Sequence, residues 1–544
     1  MAAEFDFVII GAGSAGCVLA NRLSGEGATT VCVLEAGPRD TNPFIHIPAG
    51  FMKTVVDPSV NWLYETEPSE GTAGRRIAQP RGKTLGGSGS INGHIYNRGQ
   101  RLDFDTWAQA GNRGWGYTDV LPYFKRSERR IGGGDDRFRG RDGPFTVTDL
   151  DWRDPLVGAF IESAQSIGIP RNSDYNGVAQ AGVGSAQRSI YRGRRMSPAR
   201  AFLHPAMKTS RNLVVRTKSH VERILFENKR AVGVRYIQDG RSREVRANRE
   251  IILSAGAFNS PQILQRSGVG GQELLDSLGV PVVHALDAVG ENLRDHAFVS
   301  LVAYVKGAMT LNERSRGFRL AGEVVRYLCT RRGLLALQPT LVYVSWHSDE
   351  IIKNNDLQLT FTPGGYGETY ESGLDTVPSM TCGGWAHRTV SRGSVRASSS
   401  DPLAPPIIQP NYLSHEIDQR AAIAVIRLGR KIFAATALAR YHAGEKLPGK
   451  DVVTDDELLS FARGNCSSSY HPMGTCRMGP VTDKTAVVDD ELRVHGLQRI
   501  RVVDASIMPT MPSANLNAST IMIAEKASDL ILGRTPPAAV VLSD

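Results

Sequence analysis

The sequence predicts an α/β chain of two lobes, one built on a parallel sheet assembled from both ends of the chain, the other on an antiparallel sheet. Three observations predict it. A strand, a glycine loop, a helix and a second strand open the chain; alternating apolar segments fill residues 300–460; and a strand and helix return after residue 500. At 544 residues the chain exceeds one ordinary domain and can bury a large core unaided. Apolar residues at 41 % and charged residues at 22 % are globular values and exclude disordered, collagen-like and coiled-coil chains.

Phe5–Ile10 reads FDFVII, a β-branched and aromatic run suited to a strand buried on both faces. Gly11-Ala12-Gly13-Ser14-Ala15-Gly16 follows, then Cys17–Leu23 with helical apolar spacing, then the strand Thr30–Leu34 ending at Glu35. GxGxxG alone is weak, since tight turns without a ligand share it. Here it joins a strand to a helix and has an acidic residue 19 positions after Gly16, as a Rossmann-like dinucleotide fold requires. Gly11 permits the turn, Gly13 lets backbone N–H groups reach a pyrophosphate, and Gly16 lets helix and strand approach. The helix N-terminus favours the phosphates, and Glu35 is placed for a ribose hydroxyl.

Residues 41–135 are rich in Gly, Pro and turn residues and read as a segment that wraps over a ligand without a core of its own. Strand periodicity returns at Leu213–Arg216, Ala231–Tyr236 and Glu250–Leu253. Leu341–Trp346 and Leu357–Phe361 alternate as antiparallel strands, and 416–436 reads as a helix. Ile500–Asp504 reads as another buried strand, and Ala518–Leu532 as a helix stopped by Gly533. The expected division is a discontinuous dinucleotide domain, 1–155, 200–296 and 465–544, and a substrate domain, 156–199 and 297–464.

Gly82-Lys83-Thr84-Leu85-Gly86-Gly87-Ser88-Gly89-Ser90-Ile91-Asn92, continuing to Tyr96 and Gly99, resembles the first signature of the glucose-methanol-choline (GMC) family of FAD-dependent oxidoreductases. Gly256-Ala257-Phe258-Asn259-Ser260-Pro261-Gln262-Ile263-Leu264 is similar to its second. Tyr470-His471-Pro472-Met473-Gly474-Thr475-Cys476, then Val503-Asp504-Ala505-Ser506-Ile507-Met508-Pro509, resembles its catalytic end. The likeness spans the whole chain and is strongest to bacterial choline- and alcohol-dehydrogenase-like members. It implies FAD as the dinucleotide, held by Gly11, Gly13, Ser14, Ala15, Gly16, Glu35, Ala36, Trp62, Leu85, Gly86, Ser90, Asn92, Gly93, Val221, Ala255, Asp504, Ala505 and Asn517. Ile91 stands where members with a covalently attached flavin have His, so noncovalent FAD is expected.

The resemblance also implies that His471 faces the flavin and that Asn515, eleven residues after Asp504, is its partner. The chemistry expected is oxidation of a primary alcohol to an aldehyde, with His471 as general base and hydride passing to flavin N5. The rate should then rise with pH through the titration of His471. Most histidines are structural, and Asn517 could equally be a cap before the last helix. Choline-oxidising members carry Glu two residues after an Asp-His pair, whereas Asp295-His296 leads to Phe298. An uncharged alcohol, aromatic or of medium length, is therefore expected, with Tyr470, Trp62 and Phe298 in its pocket. Electrons should pass to a quinone, another carrier or O2. A family lyase using the same His without net redox, and a choline dehydrogenase-like enzyme, are the alternatives.

Net charge is +9, but no nucleic-acid-binding pattern accompanies it, so no nucleic acid partner is expected. Arg314, Arg316, Arg319, Arg326, Arg331 and Arg332 bracket Leu320, Val324, Val325 and Leu328. They read either as an amphipathic helix meeting anionic lipid or a redox partner, or as a solvated helix over the substrate entrance. Six scattered cysteines and a start without a basic, apolar leader point to the cytoplasm, with peripheral contact at the inner face of the membrane as the second expectation. No metal site is expected.

Overall fold

A computed structural model describes residues 3–25, 27–349, 351–352, 354–367 and 372–542. Its first sheet has seven strands. Leu213–Arg216, Val31–Leu34, Ala3–Ile10 and Arg241–Leu253 lie side by side in parallel, with Ile500–Val502 also parallel to the last of them. Arg230–Gln238 and Ser219–Glu227 extend this sheet antiparallel. Phe7–Ile10 and Val31–Leu34 are wholly buried, which is why these runs carry apolar residues at consecutive positions instead of alternating ones.

Helix Ser14–Ser24 lies against the first sheet and packs on helix Asn517–Leu532, so the two chain ends share one core. Gly533 takes a left-handed conformation (φ 65°) and ends the last helix as the sequence predicts. Glu525, fully buried on that helix, accepts ion pairs from Arg22 (2.7 Å) and Arg126 (2.8 Å) and ties the amino-terminal helix to the carboxyl-terminal one.

Residues 41–135 do more than wrap. Arg101–Gln109 and Tyr117–Ser127 are helices that place Phe104, Trp107, Leu121 and Phe124 in the first core, and the second of them packs on the last helix. Their apolar spacing is helical, but each is only about three turns long. A glycine-rich neighbourhood and the internal Pro122 obscure the pattern.

The second sheet is antiparallel in the order His442–Leu447, Ala297–Val305, Ser379–Ala386, Leu357–Thr362, Val342–Trp346 and Gly182–Ser185, with Ser467–Ser468 paired to the start of Ala297–Val305. Helices Pro155–Ser166 and Glu416–Ala434 cover one face, burying Phe160, Val425 and Phe433 against Leu301, Leu359 and Phe361. The other face is left to the cavity described below.

A Cβ on Gly16 would stand 1.9 Å from the Gly11 carbonyl oxygen, so only hydrogen fits where helix meets loop. Gly16→Ala is therefore expected to destabilise by the upper end of the roughly 1–3 kcal/mol typical of overpacking, read as a fall in thermal midpoint.

Candidate active site

The strand Ala3–Ile10 delivers the glycine loop at its carboxyl end, where the Gly11 N–H donates to the Leu34 carbonyl (2.8 Å). Glu35 ends the neighbouring strand, and its two oxygens accept from the Ala12 N–H (2.9 Å) and the Gly37 N–H (2.8 Å). Burial pushes its carboxyl up to about 7, against those two hydrogen bonds. The Ser14 hydroxyl donates to Asn517 Oδ1 (2.7 Å), so Asn517 begins the last helix beside the loop and does not cap it.

The first glycine loop and the second touch. A Cβ on Gly87, which has φ +52°, would come within 2.7 Å of Gly13 Cα. This closeness leaves a cavity of about 1440 Å³ bounded by bare backbone, larger than the roughly 300–1,000 Å³ of an ordinary small-ligand pocket. Gly11, Gly13, Ser14, Ala15, Glu35, Ala36, Trp62, Asn92, Gly93, Val221, Ala255, Asp504, Ala505 and Asn517 line it, as do Ile91, His471 and Asn515. A glycine cradle opening a helix, a carboxylate at the next strand end and an unpartnered buried amide oxygen on Asn515 fit a dinucleotide with a planar ring.

Four expected binding residues do not line the cavity. Gly16 lies behind the loop, where it permits close packing. Leu85 is fully buried, the Gly86 N–H donates to the Ala12 carbonyl (2.7 Å), and the Ser90 hydroxyl turns back to the Leu85 carbonyl (2.7 Å). These three brace the second loop from behind, because its polar groups must be satisfied inside the protein.

At the far end of the cavity, Asn515 Nδ2 lies 3.0 Å from His471 Nε2. On the other side of the ring, His471 Nδ1 lies 3.0 Å from His296 Nδ1, and His296 Nε2 lies 2.9 Å from the His387 carbonyl oxygen. That carbonyl can only accept, so His296 carries its proton on Nε2. Burial lowers His296 to about 4 and keeps it neutral, which leaves its Nδ1 as an acceptor. His471 must then donate from Nδ1, and its Nε2 holds a lone pair facing Asn515 and the cavity. Burial, then the neighbouring His296, then the Arg81 guanidinium hold His471 well below the ordinary histidine value. The ring is thus a neutral base at neutral pH.

The backbone of this pair is fixed by Asp295, whose Oδ1 accepts from the N–H of His296 (2.9 Å) and of His471 (2.8 Å). Arg81 donates to the Tyr470 carbonyl (2.8 Å) beside it. His296 and Asp295 act over 175 residues of sequence from His471. Only the Asp295-His296 doublet, taken as a landmark for Phe298, pointed toward them.

The wall opposite is the open face of the second sheet. Phe298, Ser300, Thr360, Thr362, Thr381 and Trp385 line it, with Tyr366 nearby. Phe298 covers Gly383, where a Cβ would meet its ring at 2.2 Å, and its ring lies 5.9 Å from that of Trp385. Trp62 and Tyr470 also line the cavity, but Trp62 stacks on Tyr64 (5.6 Å between centroids) under the Lys83 ammonium (4.5 Å). The acidic residues of the wall are Glu35, Glu65, Glu67 and Asp504, none of them on the second sheet. Glu67 is paired with Arg76 (2.9 Å), and Asp504 accepts from Gly256 N–H (2.9 Å), the Ser260 hydroxyl (2.6 Å) and Ser506 N–H (2.8 Å). Among the described residues no cluster of side chains could hold a metal ion.

Known proteins carry the same architecture. Residues 5–298 and 389–524 match the two domains described as GMC oxidoreductase. The chain is 41 % identical to the human protein named choline dehydrogenase, mitochondrial, covering 98 % of this chain and 90 % of that one. It is 39 % identical to "alcohol dehydrogenase [acceptor]" of Pseudomonas putida, covering 98 % and 97 %. The solved structure of pyridoxine 4-oxidase from Mesorbium loti superposes with a TM-score of 0.87 at 32 % identity, covering 96 % of this chain and 98 % of that one. With the glycine cradle and the imidazole–amide pair in one cavity, this chain belongs to the GMC oxidoreductases, FAD-binding flavoenzymes that act on CH–OH donors.

Proposed function

We propose that this enzyme oxidises an uncharged primary alcohol, aromatic or of medium chain length, to its aldehyde, and passes the electrons to a quinone-like acceptor or O2. The observation that carries this reading is the neutral Nε2 of His471 beside Asn515, facing a sheet wall of rings and hydroxyls without a carboxylate. The proposed division of labour gives 1–155, 200–296 and 465–544 to the cofactor and 156–199 and 297–464 to the substrate.

FAD, when bound, supplies the hydride acceptor. Gly11–Ala15 would hold its pyrophosphate, Glu35 its ribose, and Asn92, Gly93, Asp504, Ala505 and Asn517 its ring end and linking chain. The side chain at Ile91 offers no nucleophile for attachment, so binding is noncovalent. His471 Nε2 takes the hydroxyl proton while its Nδ1–H stays bonded to His296. Asn515 Nδ2 donates to the alkoxide oxygen as charge develops there. The Phe298 and Trp385 rings exclude water and hold the apolar body of the alcohol, and the Thr360, Thr362 and Thr381 hydroxyls, which donate to the Gly383, Pro339 and Gly364 carbonyls, are left to accept from a polar substituent.

The relatives' names favour choline as the second reading, and two aromatic rings can face a quaternary ammonium without a carboxylate. An anaerobic panel of benzylic, medium-chain and choline alcohols separates the two. Bleaching of the flavin by the uncharged alcohols with little response to choline is the expected result; bleaching by choline alone would reverse the assignment, and an oxidised flavin with every alcohol would favour a lyase.

Removing one developing-charge donor, Asn515→Ala, is expected to slow flavin reduction on the order of a hundredfold, about 3 kcal/mol of barrier, with FAD content unchanged. The pH profile follows from His471. Its active form is unprotonated and its pKa lies below the usual value near 6.5, so the reductive rate should be level from neutral pH upward and fall only in acid. Stopped-flow reduction across pH checks this, and a midpoint above 7 would contradict it.

A further inference from the structure

Helix Gly317–Thr330 packs on the protein through few residues. Of its side chains only Tyr327 is buried, its hydroxyl donating to the Gly193 carbonyl (2.9 Å). Leu320 reaches the second core, and Glu323 accepts from the Leu334 N–H (2.9 Å). The opposite face points outward, and it is apolar. Phe318 is 98 % exposed, Val325 61 % and Leu328 63 %. With Ala321 they recur at spacings of three and four and so form one stripe. A solvated helix over an entrance would present charge there, and this helix presents its hydrophobic side to the outside.

Arginines flank it, Arg314 and Arg326 turned back over the Trp152 ring (5.5 and 5.9 Å) and the others nearer solvent. Arg314, Arg316, Arg319, Arg326, Arg331 and Arg332 face two acids, Glu313 and Glu323, over the same stretch. Glu313 is engaged in capping Thr310, and Glu323 lies 3.7 Å from Arg326. Among the described residues no carboxylate pairs with Arg316, Arg319, Arg331 or Arg332. An outward apolar stripe bordered by unneutralised guanidinium groups is the arrangement that seats in the headgroup layer of an anionic bilayer, rings and aliphatic groups in the acyl boundary and arginines on phosphates. A second copy of this chain fits poorly, because two-fold pairing would set the same arginines against each other. A protein partner would need roughly 800 Å² per side, more than one short helix stripe offers. No helix among the described residues is long and apolar enough to cross a membrane, so contact would be at the surface.

We propose that helix Gly317–Thr330 is a membrane-docking element that binds the surface of an anionic lipid bilayer. It adjoins the cavity through the chain: the helix runs into Leu334–Ala336 and on to Pro339 and Thr340, which line the cavity wall. Docking would hold that wall close to the bilayer.

Flotation of the FAD-loaded full chain with phosphatidylcholine vesicles, with and without phosphatidylglycerol, tests this. The expected result is binding only to the anionic vesicles, weakened by salt. The triple variant Phe318→Ser, Val325→Ser, Leu328→Ser should lose about tenfold or more in apparent affinity, as should Arg319→Glu with Arg332→Glu. Both variants should keep flavin content, thermal midpoint and turnover with a soluble dye acceptor, because these side chains project outward. Phe318→Trp should shift its emission to the blue on anionic vesicles. Failure of the wild type to float, equal flotation of the triple Ser variant, or a wild-type dimer in sedimentation that the Ser variant abolishes would each overturn the proposal.

Discussion

One buried carboxylate holds the reactive end together. Asp295 accepts from the backbone N–H groups of both His296 and His471, and its other oxygen takes the hydroxyls of Ser468 and Tyr412 and the Gln79 amide (3.4 Å). Burying a charge without partners costs several kcal/mol, so a carboxylate is tolerated here only because donors from four separate segments converge on it. Burial raises its carboxyl above the usual range, and those donors pull the other way. The strand Ala297–Val305 starts just after Asp295, and Ser467–Ser468 pairs with that start. The same carboxylate thereby ties the start of the second sheet, the loop carrying His471 and the spacing of the two imidazoles together.

From that spacing the protonation pattern follows without further assumption. A peptide carbonyl at one end of the row and an amide N–H at the other leave each neutral ring a single tautomer, so the lone pair of His471 is directed into the cavity. Arg81, buried and within reach of His471, makes an imidazolium less favourable at rest. The His471 imidazole is kept neutral by its surroundings, which lowers its basicity but fixes its form.

The nucleotide fold was legible because its signals are local. A buried strand, GxGxxG and Glu35 lie within about thirty residues, and each glycine's role is a steric one readable from its position. Alternation also revealed two strands of the second sheet, Val342–Trp346 and Leu357–Thr362, while the others in that sheet went unnamed. His471 and Asn515 came from resemblance, and their side chains lie 3.0 Å apart. Leu85, Gly86 and Ser90 did not fall on the cavity wall, because a motif marks which loop is special and not which of its atoms face inward. The pairing of His296 with His471 and with the His387 carbonyl escaped notice because nothing in sequence couples residues so far apart; only tertiary pairing does. The helix Gly317–Thr330 was amphipathic on paper, but its periodicity could not say which side the protein would keep.

The strand Ile500–Val502 and the helix Asn517–Leu532 complete a sheet and a core begun by residues 3–34. During synthesis the opening βαβ unit therefore emerges hundreds of residues before the elements that cover it, and its apolar helix face must wait exposed or shielded by chaperones. The segments that connect the two sheets are made before the loop that carries His471. A chain that stops short of residue 517 carries the glycine loop without the helix that packs on Ser14–Ser24.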